Sequence, residues 1–93
     1  MSEARRVIAG LGKTGLSYAR FLTAKNLEFE VLEDNLSEEQ RARLNEVKKG
    51  VKVSSFSDNR LEGVSEIYLS PGVPKLKKCI DQAVKDGAQI LSD

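Results

Sequence analysis

Val7-Ile8-Ala9-Gly10-Leu11-Gly12-Lys13-Thr14-Gly15-Leu16 is the stretch on which the fold of this 93-residue chain turns. Three β-favouring residues run into G-x-G-x-x-G, after which Leu16, Ala19 and Leu22 recur at helical spacing towards Lys25, with Asn26 as the stop. In a strand-to-helix turn of this kind Gly10 permits the tight bend and Gly12 lets a phosphate approach the backbone. Gly15 lets the helix pack closely on the sheet. The free amides of the first helical turn, backed by the helix dipole, then face an anion. A tight turn also demands glycine when no ligand binds, so that reading stays open. Gly12-Lys13-Thr14 imitates the end of a P-loop, but a P-loop has another glycine five positions before, where this chain has Val7. No ATP site is expected on these residues.

Working outward, Phe29-Glu30-Val31-Leu32, Val51-Lys52-Val53, Ile67-Tyr68-Leu69 and Ile90-Leu91 read as further strands. Ser37-Glu38-Glu39-Gln40 reads as a capping box that opens a second helix running to about Lys49, with Leu44 and Val47 inward and Gly50 as its stop. Leu76, Cys79, Ile80, Ala83 and Val84 form the apolar stripe of a third helix ended by Gly87, and Lys77, Lys78, Asp81 and Lys85 its solvated face. Residues Ser54 to Ser65 lack periodicity and read as a crossover loop or a single helical turn. Strands alternating with helices predict an α/β, Rossmann-like three-layer domain. Its sheet has five mostly parallel strands in the order 3-2-1-4-5, and one such domain fills residues 1–93.

Composition narrows the function. Hydrophobic residues make up 40% and charged residues 31%, and 15 Lys/Arg against 14 Asp/Glu leave a formal charge of +1. That balance offers no electrostatic footprint for nucleic acid or an anionic membrane, and no apolar run is long enough to span a bilayer. One cysteine and no histidine exclude an internal disulfide and any His-dependent triad, and they leave no zinc site. The cysteine usage favours a cytoplasmic setting. Cys79, on the apolar stripe, reads as a small core residue. The last residue, Asp93, follows the fifth strand directly, which reads as a cut between domains.

Two further segments converge on the glycine turn. Glu33-Asp34-Asn35 ends the second strand, with Glu33 lying 23 residues after Gly10 (33 − 10); an acid about 20 residues on from such a turn meets a nucleoside ribose. Ser70-Pro71-Gly72-Val73-Pro74 ends the fourth strand. There the prolines stiffen the loop, Gly72 allows close approach and Ser70 supplies a hydroxyl. With strand order 3-2-1-4-5, the ligand crevice opens between strands one and four, so the two loops face each other across it.

Gly10-Leu11-Gly12-Lys13-Thr14-Gly15-Leu16-Ser17, the acidic strand end at Glu33, Ser70-Pro71-Gly72-Val73-Pro74 and the closing Asp86-Gly87-Ala88-Gln89-Ile90 together resemble the N-terminal domain of the Mur ligase family. The resemblance covers nearly the whole chain but only the first of that family's three domains. It implies a domain that holds the UDP part of UDP-N-acetylmuramoyl-L-alanine, in an ATP-dependent ligase that adds D-glutamate during peptidoglycan synthesis. By position, Gly12, Lys13 and Thr14 would lie on the diphosphate, with Ser70, Pro71 and Gly72 opposite and Glu33, Asp34 and Asn35 against uracil and ribose. The family often has Asp where this chain has Glu33, commonly followed by Thr or Ser and then a basic residue. Asp34 and Asn35 stand there instead. ATP, magnesium and the catalytic groups would belong to the central domain, and the 93 residues would bind without catalysing. Two other readings compete: an NAD-binding Rossmann domain of a dehydrogenase or channel regulatory module, and an α/β interaction domain with an empty crevice.

Overall fold

The computed structural model describes residues 5–56, 63–70 and 78–91. Its elements run β1 (Arg5–Ala9), α1 (Lys13–Ala24), β2 (Glu30–Leu32), α2 (Glu38–Val47), β3 (Val53–Ser54), β4 (Val64–Leu69), α3 (Lys78–Lys85) and β5 (Gln89–Leu91). The sheet order is β3-β2-β1-β4-β5, and every pairing is parallel. The chain winds outward from β1 through β2 to β3. It then crosses back to lay β4 on the other side of β1 and continues to β5. The expected α/β fold and strand order are therefore the observed ones.

Strand alternation builds two cores. Val7, Ala9, Leu32, Ile67 and Leu69 point to one face and pack with Ile80 and Ala83 of α3, while Ile8, Val31 and Tyr68 point to the other and pack with Leu16, Ala19 and Leu22 of α1 and Leu44 of α2. The Tyr18 ring of α1 lies 5.3 Å from that of Tyr68, tying the helix to β4. Burial pushes the Tyr68 phenol above its usual pKa, helped by its hydrogen bond to Glu66 Oε1 at 3.1 Å. At the amino ends of the strands, Arg5 grips both Glu30 oxygens at 3.0 and 3.1 Å, and Arg6 donates to Glu66 at 2.9 Å.

Helix termini follow the punctuation in part. Asn26 adopts a left-handed φ of 58°, with Asn26 N–H on Thr23 O and Leu27 N–H on Leu22 O, a Schellman ending to α1. Gly87, at φ 107°, ends α3 in the same way: Gly87 N–H reaches Val84 O and Ala88 N–H reaches Ala83 O.

Three expectations shift. Helix α2 stops at Val47 because Lys48 turns extended (φ −157°), and Gly50 (φ 77°) instead shapes the bend into Val51. Strand β4 begins earlier, at Val64, and pairs with Arg5. Strand β3 is only Val53–Ser54, since Val51 is buried ahead of the ladder. On α3, Ile80 and Ala83 are buried but Val84 is 41% exposed, at the edge of the stripe. Leu76 and Lys77, most of the Ser54–Ser65 crossover and the side chain of Cys79 lie outside the described residues.

Leu44 is the only fully buried residue of α2, so the apolar docking of that helix centres on one side chain, with Val47 partly buried beside it. Leu44→Ala should cost about 2–5 kcal/mol, a large fraction of the roughly 5–14 kcal/mol expected for a chain of this size. Val84→Ala should stay within about 0.5 kcal/mol. Urea unfolding of the two variants, read as midpoints at unchanged slope, tests the contrast; equal midpoints would mean that α2 is held some other way.

Candidate functional site

The expected crevice falls at the carboxyl end of β1, flanked by β2 and β4. Gly10 N–H extends the β1·β2 ladder to Leu32 O at 2.8 Å, and Ser70 N–H extends the β1·β4 ladder to Ala9 O at 3.1 Å. Gly10 then turns with φ 90°, a conformation that favours glycine. A Cβ added at Gly15 would collide with the Gly10 carbonyl oxygen and lie 3.3 Å from Ser70 Oγ. Two glycines of the motif are therefore required by the fold itself. One frees the turn and the other admits it against α1.

Polar side chains hold that turn from three directions. Ser70 Oγ donates to Gly10 O at 2.9 Å. The Leu11 N–H, at the other end of the same peptide unit, donates to Glu33 Oε1 at 3.0 Å. Gln40 Nε2 donates to Leu11 O at 2.8 Å. From the Gly10 amide through the Leu11 carbonyl, every backbone polar group of the turn is thus satisfied. The next one is the Gly12 N–H.

Among the described residues, the amides of Gly12, Lys13, Thr14 and Gly15 have no hydrogen-bond partner, and the first helical bond is Leu16 N–H to Gly12 O at 2.9 Å. Gly12 is the N-cap of α1 yet offers no side-chain cap, and the first turn carries no acid. Gly12 and Lys13 are exposed, and Thr14 is half-buried. Gly12 has φ −89°, and a Cβ there would meet nothing within 4 Å among the described residues. Neither strain nor crowding by a described residue demands glycine at this position, unlike at Gly10 and Gly15. A dipole end with open amides can accept an anion.

The other expected residues divide in role. Glu33 is half-buried. Its second oxygen accepts from Asn35 N–H at 3.3 Å, so the carboxylate fastens the β2 end to the glycine turn and keeps unused lone pairs. Asp34 Oδ1 accepts the Phe56 N–H at 2.8 Å and braces the β3 side, with its residue exposed. Asn35 is exposed. Ser70 is 5% exposed, and its hydroxyl is committed inward to Gly10, so it shapes the turn rather than lying free in the crevice. Pro71 and Gly72, with the rest of the Ser-Pro-Gly loop, lie outside the described residues. Gln40 belongs to the site framework although the sequence marked it only as a cap. The one available signal was that a glutamine at that position keeps an amide hydrogen that a glutamate lacks.

Among the described residues, no group of three His, Cys, Asp or Glu gathers as a metal site, and no helix is long and apolar enough to cross a membrane.

Comparison with known proteins is consistent along the chain. The family described as Mur ligase MurD-like, N-terminal domain, matches residues 4–92. UDP-N-acetylmuramoylalanine--D-glutamate ligase of Coxiella burnetii (strain Dugway 5J108-111) is 41% identical over 96 residues, covering 99% of this chain and 21% of that protein. The protein of the same name from Marinobacter nauticus is 35% identical over 98 residues, covering 100% of this chain and 21% of its own length. That from Hahella chejuensis is 38% identical over 88 residues, covering 92% and 20%. The chain thus spans about a fifth of the length of these relatives.

Gly15 and Gly12 should separate by stability. Gly15→Ala forces a methyl onto the Gly10 carbonyl and should cost about 1–3 kcal/mol, or more where the turn cannot yield. Gly12→Ser places a hydroxyl at an uncapped N-terminus and should leave stability unchanged or raise it by up to about 1 kcal/mol. Thermal unfolding of both variants decides the matter, and a severe loss in Gly12→Ser would make Gly12 a structural glycine like its neighbours.

Proposed function

This chain belongs to the MurD-like N-terminal domain family of the Mur ligases, and we propose that its crevice binds the uridine diphosphate part of UDP-N-acetylmuramoyl-L-alanine. The observation that carries the reading is the uncapped start of α1. The amides of Gly12, Lys13 and Thr14 find no partner among the described residues, beside a glycine that no described neighbour and no backbone strain demands. A diphosphate supplies the oxygens those amides lack, and the helix dipole favours its charge. The Lys13 ammonium adds a counter-charge; among the described residues no carboxylate pairs with it.

In this reading Glu33, Asp34 and Asn35 meet uracil and ribose. The free lone pairs of Glu33 accept from N–H or hydroxyl groups while its bonds to Leu11 and Asn35 keep it in place. A carboxylate there also disfavours a nucleotide with a 2′-phosphate. Ser70 contributes through the shape of the turn, and Pro71 and Gly72 are proposed as further contacts of the diphosphate.

We further propose that a protein of the relatives' length joins D-glutamate to this substrate, as the name of those relatives states. The chemistry needed is activation of the alanyl carboxylate by ATP, with magnesium neutralising the phosphates, followed by attack of the glutamate amine. Groups for those steps are assigned to other parts of such a protein. Residues 1–93 hold and orient the nucleotide end in the cytoplasm. Catalysis by binding at a remote group is an ordinary use of substrate affinity: the gripped nucleotide fixes where the distant carboxylate lies.

Calorimetric titration tests the reading. UDP should bind the wild-type chain, and NAD should give no heat. Gly12→Ser should weaken UDP binding by about tenfold or more, since its side chain caps the amides that the diphosphate needs. Heat from NAD alone would support a nicotinamide domain, and an equal UDP affinity in Gly12→Ser would place the nucleotide elsewhere.

A further inference from the structure

We propose that Gln40 is a positioning residue for the anion-binding turn, acting from the second helix through the Leu11 carbonyl; the inference rests on the UDP reading above. Its amide makes two bonds at once. Oε1 accepts the Ser37 N–H at 2.9 Å, completing the capping box in which Ser37 Oγ accepts the Gln40 N–H at 3.1 Å. Nε2 donates to Leu11 O at 2.8 Å, across 29 residues of sequence. The amide can sit only one way round, because a backbone N–H only donates and a carbonyl only accepts.

The geometry of the peptide bond carries the effect to the ligand. In a planar trans peptide the C=O and the following N–H point in opposite directions. Holding Leu11 O towards α2 therefore aims the Gly12 N–H away from α2. The neighbouring peptide is already fixed at both ends, by Ser70 on Gly10 O and by Glu33 on the Leu11 N–H. Among the described residues, Gln40 is thus the one side chain that sets the orientation of the peptide bearing the first open amide. Glycine at 12 leaves that peptide freer than any other residue would, which makes an external clamp necessary. Preorganised amides bind an anion better than amides that must first be ordered.

Three substitutions separate positioning from helix capping. Gln40→Glu keeps the capping box, which accepts either residue, but turns the donor to Leu11 into an anionic acceptor. Gln40→Met removes the donor at similar size and without adding charge. Ser37→Ala breaks the cap from the other side and leaves the Gln40–Leu11 bond in place. Titration with UDP should show both Gln40 variants weakened, Gln40→Met by about tenfold, and Ser37→Ala within twofold of wild type. In the free proteins, the amide resonances of Gly12 and Lys13 should move in the Gln40 variants and stay put in Ser37→Ala. Equal losses in Gln40→Met and Ser37→Ala, or unmoved Gly12 and Lys13 resonances in Gln40→Met, overturn the inference. Absence of UDP binding by the wild-type chain overturns the nucleotide reading instead, and the amide resonances then decide on their own whether Gln40 holds the turn.

Discussion

The carbonyl oxygen of Gly10 is the point at which sheet, helix and crevice meet. It lies against the Cα of Gly15, so α1 approaches β1 as closely as backbone allows, and it accepts the buried Ser70 hydroxyl at 2.9 Å. A buried carbonyl left unpaired would cost about 1–3 kcal/mol. The serine satisfies it and at the same time fastens the end of β4 to the turn leaving β1. Because β1 and β4 are the strands at which the winding reverses, this one hydrogen bond closes the floor of the crevice. Glu33 and Gln40 carry the same logic around the turn, each taking one polar group that would otherwise compete for a ligand.

Much of this was legible in the residues. The glycine motif between an apolar run and a helical stripe leads to β1, α1 and the switch point, and the capping box at Ser37 and Gln40 is present as read. What escaped was tertiary. Nothing in Ser70 itself says whether a hydroxyl faces ligand or backbone; that depends on how near Gly10 comes, which Gly15 decides from a different element. Glu33 was recognised as a strand-end acid, but its bond to Leu11 N–H depends on the path of the turn after Gly10. Gln40 was explained by a local motif, and a residue with one sufficient local role gives no hint of a second, distant one. The early end of α2 has a similar cause. With only Leu44 fully buried, the last turn gains too little from packing to extend to Gly50.

Scaffold and site can be told apart by asking what each glycine would lose. Gly10 would lose its backbone conformation and Gly15 its clearance, and both losses fall on the folded state alone. Gly12 would lose neither. Helix stability on its own favours serine, threonine or aspartate at an N-cap, where a side-chain oxygen satisfies a free amide and an acid complements the dipole. This chain uses that device at Ser37, with Glu38 and Glu39 in the following turn, and leaves α1 with neither a capping side chain nor an acid. The two helices each follow the carboxyl end of a neighbouring strand and obey the same physics. Their difference is what the proposed ligand at the start of α1 would require. An anion supplied from outside accounts for the missing cap, the missing acid and the open space at Gly12 together, whereas the demands of the turn account for none of the three.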